Sequence, residues 1–194
     1  YHFIDKMGGL ELIDVSIGEA LYTGIMTDTA SFRFPLTTST THRVIAHLID
    51  VGVEKSNIHD AVYDTNSYDR LQLMGCALNN LTFLEKFKTA YISLTNKELD
   101  AHDFQKGDTE GLVNYGLSLK GAKFAVIFIE HKKESIIKIS FRSKGDFDVN
   151  TFARTHFNGG GHKNASGGRS NLNLEETIAK FISILSEYKP ELDS

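Results

Sequence analysis

The sequence predicts an α/β fold in two parts: helices dominate residues 1–66, a linking helix follows at 67–88, and a compact mixed domain occupies 89–194. Three observations carry this expectation. Apolar residues recur at helical spacing through the first third, with Ile17, Leu21 and Ile25 as the clearest set. From Thr89 the texture changes to alternating, β-rich segments of which Ala90, Ile92 and Leu94 form one face. The apolar run from Phe124 to Ile129 is unbroken, as suits a strand covered on both sides.

Bulk properties set limits before any motif does. With 194 residues, 41% of them hydrophobic, the chain can bury a substantial core in one or two domains. A formal net charge of −4 argues against a surface that holds long nucleic acid by bulk electrostatics. Small phosphorylated ligands gripped by a few local cations fit better. The single cysteine, Cys76, excludes an intrachain disulfide and a cysteine-based zinc cluster, and points to a reducing, cytoplasmic setting. No segment approaches the roughly 18 apolar residues that span a bilayer, so no membrane partner is expected.

Taken in order, Ser16 with Glu19 three residues on reads as a capping box that opens a helix over residues 17–27, leaving Asp28 at or just past its C-terminal end. A negative charge there opposes the helix dipole and invites a search for a cation. Residues 40–51 carry Val44, Ile45, Leu48 and Ile49 on one side and stop at Gly52. A short helix is expected over 56–63. Ser67 then begins a longer pattern through Leu71, Met74, Leu78, Leu81 and Phe83, consistent with about five turns.

In the second half, Thr95 and Glu98 offer another capping box, and the apolar run at 124–129 is expected to pair with the next strand through a turn at 131–135. Alternation along that partner puts Ile137, Ile139 and Phe141 on one face and Lys138, Ser140 and Arg142 on the other. A short helix is predicted at 149–156, and Asn173 with Glu176 caps a last one through Phe181 and Leu185. Pro35 and Pro190 are the only prolines.

The chemically suggestive stretch is Gly159, Gly160, Gly161 and His162, followed by Ala165, Ser166, Gly167 and Gly168. Consecutive glycines allow positive φ and let main-chain N–H groups come close to a ligand, which suits a phosphate cradle; they equally suit a tight surface turn. Arg142 offers a planar fork matched to phosphate oxygens. His162 can donate to the same group, neutral or as imidazolium. Ser143 and Asn150 are further candidate donors, and Lys163 fits either added positive charge at the loop or a solvated side chain. His42 and His47 stand five residues apart, which is not the spacing that puts two ligands on one helical face, and are assigned to structure. Phe32 and Arg33 fit either a binding cleft or packing, and Tyr115 reads as scaffold.

These two regions occur in an order that resembles the DHH-type phosphoesterase family. The glycine–histidine stretch, preceded by Lys138 to Ser143, is similar to the C-terminal domain that accompanies the DHH core, and residues 21–34, with Asp28, are similar to the last metal-ligand motif of that core. The branch it looks most like comprises oligoribonucleases that also act as 3′-phosphoadenosine 5′-phosphate phosphatases, with RecJ-type exonucleases more distant. The resemblance implies that Asp28 is a metal ligand and so catalytic, with Mn²⁺ or Mg²⁺, two ions in the intact protein. It also implies that Arg142, Ser143, Asn150, Gly159, Gly160, Gly161, His162 and Ala165 bind substrate. The substrate would be short RNA or a small phosphorylated nucleotide, with a homodimer as a possible assembly. The other metal motifs of the core, including its Asp-His-His triplet, do not occur upstream of Asp28, and residue 1 is Tyr. The chain is therefore expected to be the C-terminal portion of a longer enzyme, inactive by itself. Alternatives are a nucleotide-binding module, or a phosphodiesterase acting on cyclic dinucleotides or their linear products.

Overall fold

The computed structural model describes residues 1–34 and 37–193; Pro35 lies outside the described residues. The chain divides into two compact units, Tyr1–Asn66 and Ser67–Ser194. The first is helical: α1 (His2–Lys6), α2 (Val15–Asp28), α3 (Ser39–Asp50) and α4 (Lys55–Tyr63). Ile13, Tyr22, Met26, Val44, Ile45, Leu48 and Val53 form its core.

The start of α2 corrects the sequence expectation. Its N-cap is Asp14, whose Oδ1 accepts from the Ile17 amide at 2.9 Å, and Ser16 sits inside the first turn. A carboxylate caps as well as a hydroxyl and adds charge that the positive helix end favours, so the helix begins two residues earlier than Ser16 would allow. The same helix packs closely because Gly18 faces Val53, where a Cβ would come within 2.8 Å of Cγ2.

The second unit is built on a six-stranded mixed sheet flanked by helices. In chain order its elements are α5 (Tyr68–Asn79), β1 (Thr82–Leu84), β2 (Thr89–Leu94), α6 (Asn96–Ala101), α7 (Leu112–Ser118), β3 (Phe124–His131), β4 (Ile136–Ser143), α8 (Val149–His156), β5 (Gly160–His162), β6 (Ala165–Ser170), α9 (Leu174–Leu185) and α10 (Lys189–Asp193). The strand order is β1-β2-β3-β4-β6-β5; β2 pairs with β3 in parallel and the other neighbours among the described residues are antiparallel. That pair is connected by α6 and α7, since a parallel neighbour needs a crossover rather than a hairpin.

Strand β3 is buried on both faces, which accounts for its unbroken apolar run. Ala125 and Ile127 pack with Leu73 and Ala77 of α5 and with Leu99, Leu112 and Val113. Phe124, Val126 and Phe128 face the other way, into an aromatic core with Phe141, Phe152 and Phe181. Phe152 lies 5.2 Å from Phe124 and 5.6 Å from Phe141 between ring centroids, both edge-on. Buried edge-to-face pairs of this kind add to area burial and fix α8 on the sheet.

The expected linking helix is shorter than its pattern. It ends at Asn79, and Phe83, which fits the helical spacing, instead lies in β1 opposite Ala90. Asn80 makes the turn: its Nδ2 donates to the Ser93 carbonyl at 2.9 Å and to Glu98 Oε1 at 2.8 Å. Pairing with β2 satisfies main-chain groups that a longer helix would leave to solvent, so tertiary contacts override the periodicity.

Glu98 closes this corner, with Oε2 accepting from the Thr95 amide at 2.8 Å and the Thr95 hydroxyl at 2.7 Å in a complete capping box. Burial pushes the Glu98 carboxyl up, but the bonds from Thr95 and Asn80 outweigh it and hold it below the usual carboxylate value. A lowered folded-state pKa contributes stability that is present above the unfolded value of about 4.3 and is lost as pH falls through the folded one. Glu98→Gln is therefore expected to lower the denaturation midpoint at pH 7, with the gap to the parent closing below about pH 4. A constant gap across that range would show that the carboxylate's charge is not what holds the corner.

Among the described residues no helix is long and apolar enough to cross a membrane.

Candidate functional site

Strand β4 sets the site. Ile137, Ile139 and Phe141 are buried in the aromatic core, so alternation turns Lys138, Ser140 and Arg142 to the opposite face, where Lys138 is exposed and the other two are half-buried. Arg142 Nη1 donates to its neighbour's carbonyl, Phe141 O, at 2.9 Å, and no carboxylate lies within salt-bridge distance of it among the described residues. Burial pulls its guanidinium below the ordinary value, and the negative charge of Glu110 opposes that shift. Glu110 therefore acts on Arg142 through space and leaves most of its fork free. A partly desolvated cation without an ion-pair partner among the described residues is suited to an incoming anion.

The glycine-rich stretch is a hairpin rather than a loop. Gly160–His162 forms β5 and pairs antiparallel with β6, which in turn pairs with β4. The registers align: Arg142 opposes Ala165, and Ala165 opposes His162, so the three form one row across β4, β6 and β5 on one face. At about 4.8 Å between strands, the Arg142 and His162 backbones stand roughly 10 Å apart. The adjacent row is Ser140, Gly167 and Gly160, with no side chain beyond a hydroxymethyl. His162 is exposed, and its imidazole has no hydrogen bond among the described residues.

The glycines have a packing reason as well. A Cβ on Gly159 would meet the Gly167 carbonyl oxygen at 2.0 Å, and one on Gly161, whose φ is +155°, would meet the Ala165 carbonyl oxygen at 2.6 Å. Close approach of β5 to β6 thus requires glycine at both positions. Gly160 differs: the atoms nearest a Cβ there would be those of the Arg154 guanidinium, at 3.5 Å.

Ser143 and Asn150 are used by the fold. The Ser143 hydroxyl is buried, donates to the Phe147 carbonyl at 2.6 Å and accepts from Asn164 Nδ2 at 2.9 Å, clamping the turn after β4. It faces away from Arg142, which corrects the expectation of a shared ligand. Asn150 Oδ1 accepts from the Gly161 amide at 2.9 Å and from Arg154 Nε at 3.0 Å. Asn150 thus ties α8 to the glycine strand and takes up one of the amides a cradle would offer. Arg154 is the residue that the sequence reading missed. It stands four positions after Asn150 on a predicted helix, which was the available signal. Lys163 is paired with Asp146 at 2.7 Å.

In the first unit, Asp28 is the last residue of α2 and is exposed. Ala30, Ser31 and Phe32 follow with φ of +49°, +55° and +67°, three successive non-glycine residues in the left-handed region. Such strain is uncommon and is held by the Thr29 hydroxyl accepting from the Phe32 amide at 3.0 Å, and by Phe32 packing against Tyr22 and His42. Phe32 is therefore a packing residue. No group of three or more His, Cys, Asp or Glu that could hold a metal ion occurs among the described residues. Asp28 offers a single carboxylate at this position.

The chain is similar to several known proteins. The DHHA1 domain family matches residues 85–189, which include β2 through α9 and the row of Arg142, Ala165 and His162. The bifunctional oligoribonuclease and PAP phosphatase NrnA of Bacillus subtilis is 30% identical over 155 residues, 80% of this chain and 48% of that protein. The protein of the same name from Thermus thermophilus is 30% identical over 173 residues, 88% of this chain and 50% of the relative. A crystal structure of an exopolyphosphatase-related protein from Bacteroides fragilis superposes with a TM-score of 0.96 at 40% identity, covering all of this chain and 56% of the other. The chain thus spans about half the length of the curated relatives it matches. With its second unit matching the DHHA1 domain and its length aligning to NrnA proteins, the chain belongs to the DHH-type phosphoesterase family.

Proposed function

We propose that the intact protein is a phosphoesterase that hydrolyses short oligoribonucleotides or 3′-phosphoadenosine 5′-phosphate, and that the second unit of this chain grips a terminal phosphate of the substrate. The observation that carries this reading is the row across β4, β6 and β5, in which an unpaired guanidinium and a free imidazole flank a strip without bulky side chains. The names of the Bacillus and Thermus relatives support the substrate class.

Arg142 orients the phosphate through paired N–H donors, and His162 donates from the other side. Arg154, held beside Gly160, adds positive charge at the rim. Fixing one end of a small ester sets where the scissile bond lies and favours short substrates. Asp28 would offer one carboxylate to a Mn²⁺ or Mg²⁺ centre in the intact protein, and such a centre would supply Lewis-acid chemistry and nucleophile activation.

By itself the chain is then a nucleotide-binding module. Incubated with Mn²⁺ and a 5′-phosphorylated diribonucleotide, it is expected to bind without turnover, and measurable cleavage by the chain alone would contradict this. For the intact protein, hydrolysis of 3′-phosphoadenosine 5′-phosphate, two- to five-residue RNA, a cyclic dinucleotide and polyphosphate should be compared. Preference for polyphosphate would overturn the proposed substrate class, and preference for the cyclic dinucleotide would favour the phosphodiesterase alternative.

A further inference from the structure

The outward face of β4 and β6 continues beyond the Arg142 row. Two residues along is the row of Ser140 and Gly167, and two further along is the pair Lys138 and Arg169, directly opposite each other. An open depression of about 480 Å³ lies here, lined by Lys138, Ser140, Gly159, Gly167 and Arg169 among others. Three glycines, 159, 167 and 168, contribute bare main chain to its lining, beside Glu134 and Asn158.

The two cations in this depression differ. Lys138 Nζ is 3.2 Å from Glu134 Oε1, and the same carboxylate is 3.6 Å from His131 Nδ1, so Lys138 is neutralised locally. Arg169 is exposed, and its guanidinium has neither an ion pair nor a hydrogen bond among the described residues. The Ser140 hydroxyl is likewise without a partner among them. A free planar donor, a free hydroxyl and bare backbone on one side of a depression match a phosphodiester with its sugar better than an apolar ligand.

Resting on the reading of the Arg142 row as the terminal-phosphate site, we propose that Arg169 and Ser140 form a second subsite for an internal phosphate of an oligoribonucleotide, which makes Arg169 a determinant of substrate length. At about 3.4 Å per residue, Lys138 and Arg169 lie roughly 14 Å along the strands from the Arg142 row. A stacked single strand rises about 3.4 Å per nucleotide, so this distance corresponds to about four nucleotides, and fewer if the strand is extended. A nucleoside bisphosphate held at Arg142 ends before Arg169; a pentanucleotide reaches it.

The test is equilibrium binding of two probes to the chain, a 5′-phosphorylated pentaribonucleotide and 3′-phosphoadenosine 5′-phosphate, for the parent, Arg169→Ala, Arg169→Lys and Arg142→Ala. Arg169→Ala is expected to weaken the pentanucleotide about five- to tenfold and leave the bisphosphate within about twofold, with Arg169→Lys recovering part of the loss. The slope of log affinity against log salt for the pentanucleotide should fall by about 0.7, the contribution of one phosphate contact on a single strand, with no change for the bisphosphate. A purely structural role for Arg169 would affect both probes. Equal effects on the two probes, or none on the pentanucleotide, overturn the second subsite. If Arg142→Ala weakens both probes while Arg169→Ala weakens neither, the terminal-phosphate reading stands and only this subsite fails; if Arg142→Ala changes neither probe, the reading beneath it fails.

Discussion

Replacing Arg142 by alanine is expected to cost about 1–3 kcal/mol in binding of a 5′-phosphorylated diribonucleotide, the scale for removing a charged hydrogen-bond partner. The loss should be measurable by titration calorimetry without loss of fold. Arg142 contributes nothing to the aromatic core, because its strand neighbours Phe141 and Ile139 face that core and it does not. In the free protein burial disfavours its charge, with only a main-chain carbonyl in contact and Glu110 acting from further away. A bound phosphate would relieve that cost, so the interaction should exceed that of an exposed lysine with the same anion. Arg142→Lys should recover little, since a single ammonium cannot reproduce the paired donors. His162→Ala should also weaken binding, by less, because the imidazole is exposed and solvent competes for it. Unchanged affinity in both alanine variants, with the melting temperature preserved, would place the ligand elsewhere.

Gly159→Ala is expected to be the most damaging substitution to the fold of the site, at about 3 kcal/mol or more, the upper end of overpacking costs. The reason is geometric. The added Cβ would lie 2.0 Å from the Gly167 carbonyl oxygen and 2.8 Å from the Gly168 Cα, and main-chain atoms of a paired strand cannot rotate away as a side chain can. Either β5 separates from β6, carrying His162 out of its row, or α8 shifts with it, since the Gly159 amide donates to the Ala153 carbonyl of that helix. Gly160→Ala is the informative contrast. The atoms nearest its Cβ would be those of the Arg154 guanidinium, at 3.5 Å on a flexible side chain, so stability should change by less than about 1 kcal/mol while ligand binding falls, because the new methyl projects beside the phosphate strip. Chemical denaturation read alongside nucleotide titration separates the two effects. Equal stability losses in the two variants would mean that the glycines serve backbone approach alone.

Much of the second unit was legible because its signals are local. The alternation at residues 136–143 assigned Arg142 to the outward face, and the capping boxes at Thr95 and Asn173 are both complete in the structure. The apolar run at 124–129 correctly indicated burial on both sides. What failed to show depends on partners distant in sequence. Phe83 fits a helical period, yet β2 draws it into the sheet. The glycine stretch carries no side-chain pattern, so neither its strand character nor its register could be read, although that register is what places His162 and Arg142 in one row. Ser143 and Asn150 looked like ligand donors because their polar atoms were visible and their internal partners, Phe147, Asn164, Gly161 and Arg154, were not. Ser16 and Asp14 show the opposite limit, two competing local caps whose ranking follows from charge at the helix end.

The central claim is that a terminal phosphate binds on the outward face of β4, β6 and β5, at the row of Arg142, Ala165 and His162. The most direct measurement is an amide chemical-shift titration of the isotopically labelled chain with a 5′-phosphorylated diribonucleotide in the absence of divalent metal. The account predicts the largest saturable shifts at Arg142, Ala165, His162, Gly160 and Gly161. Shifts that instead cluster around Lys123, Lys144 and Gly145, at another depression of the same unit, with the Arg142 row unmoved, would contradict it.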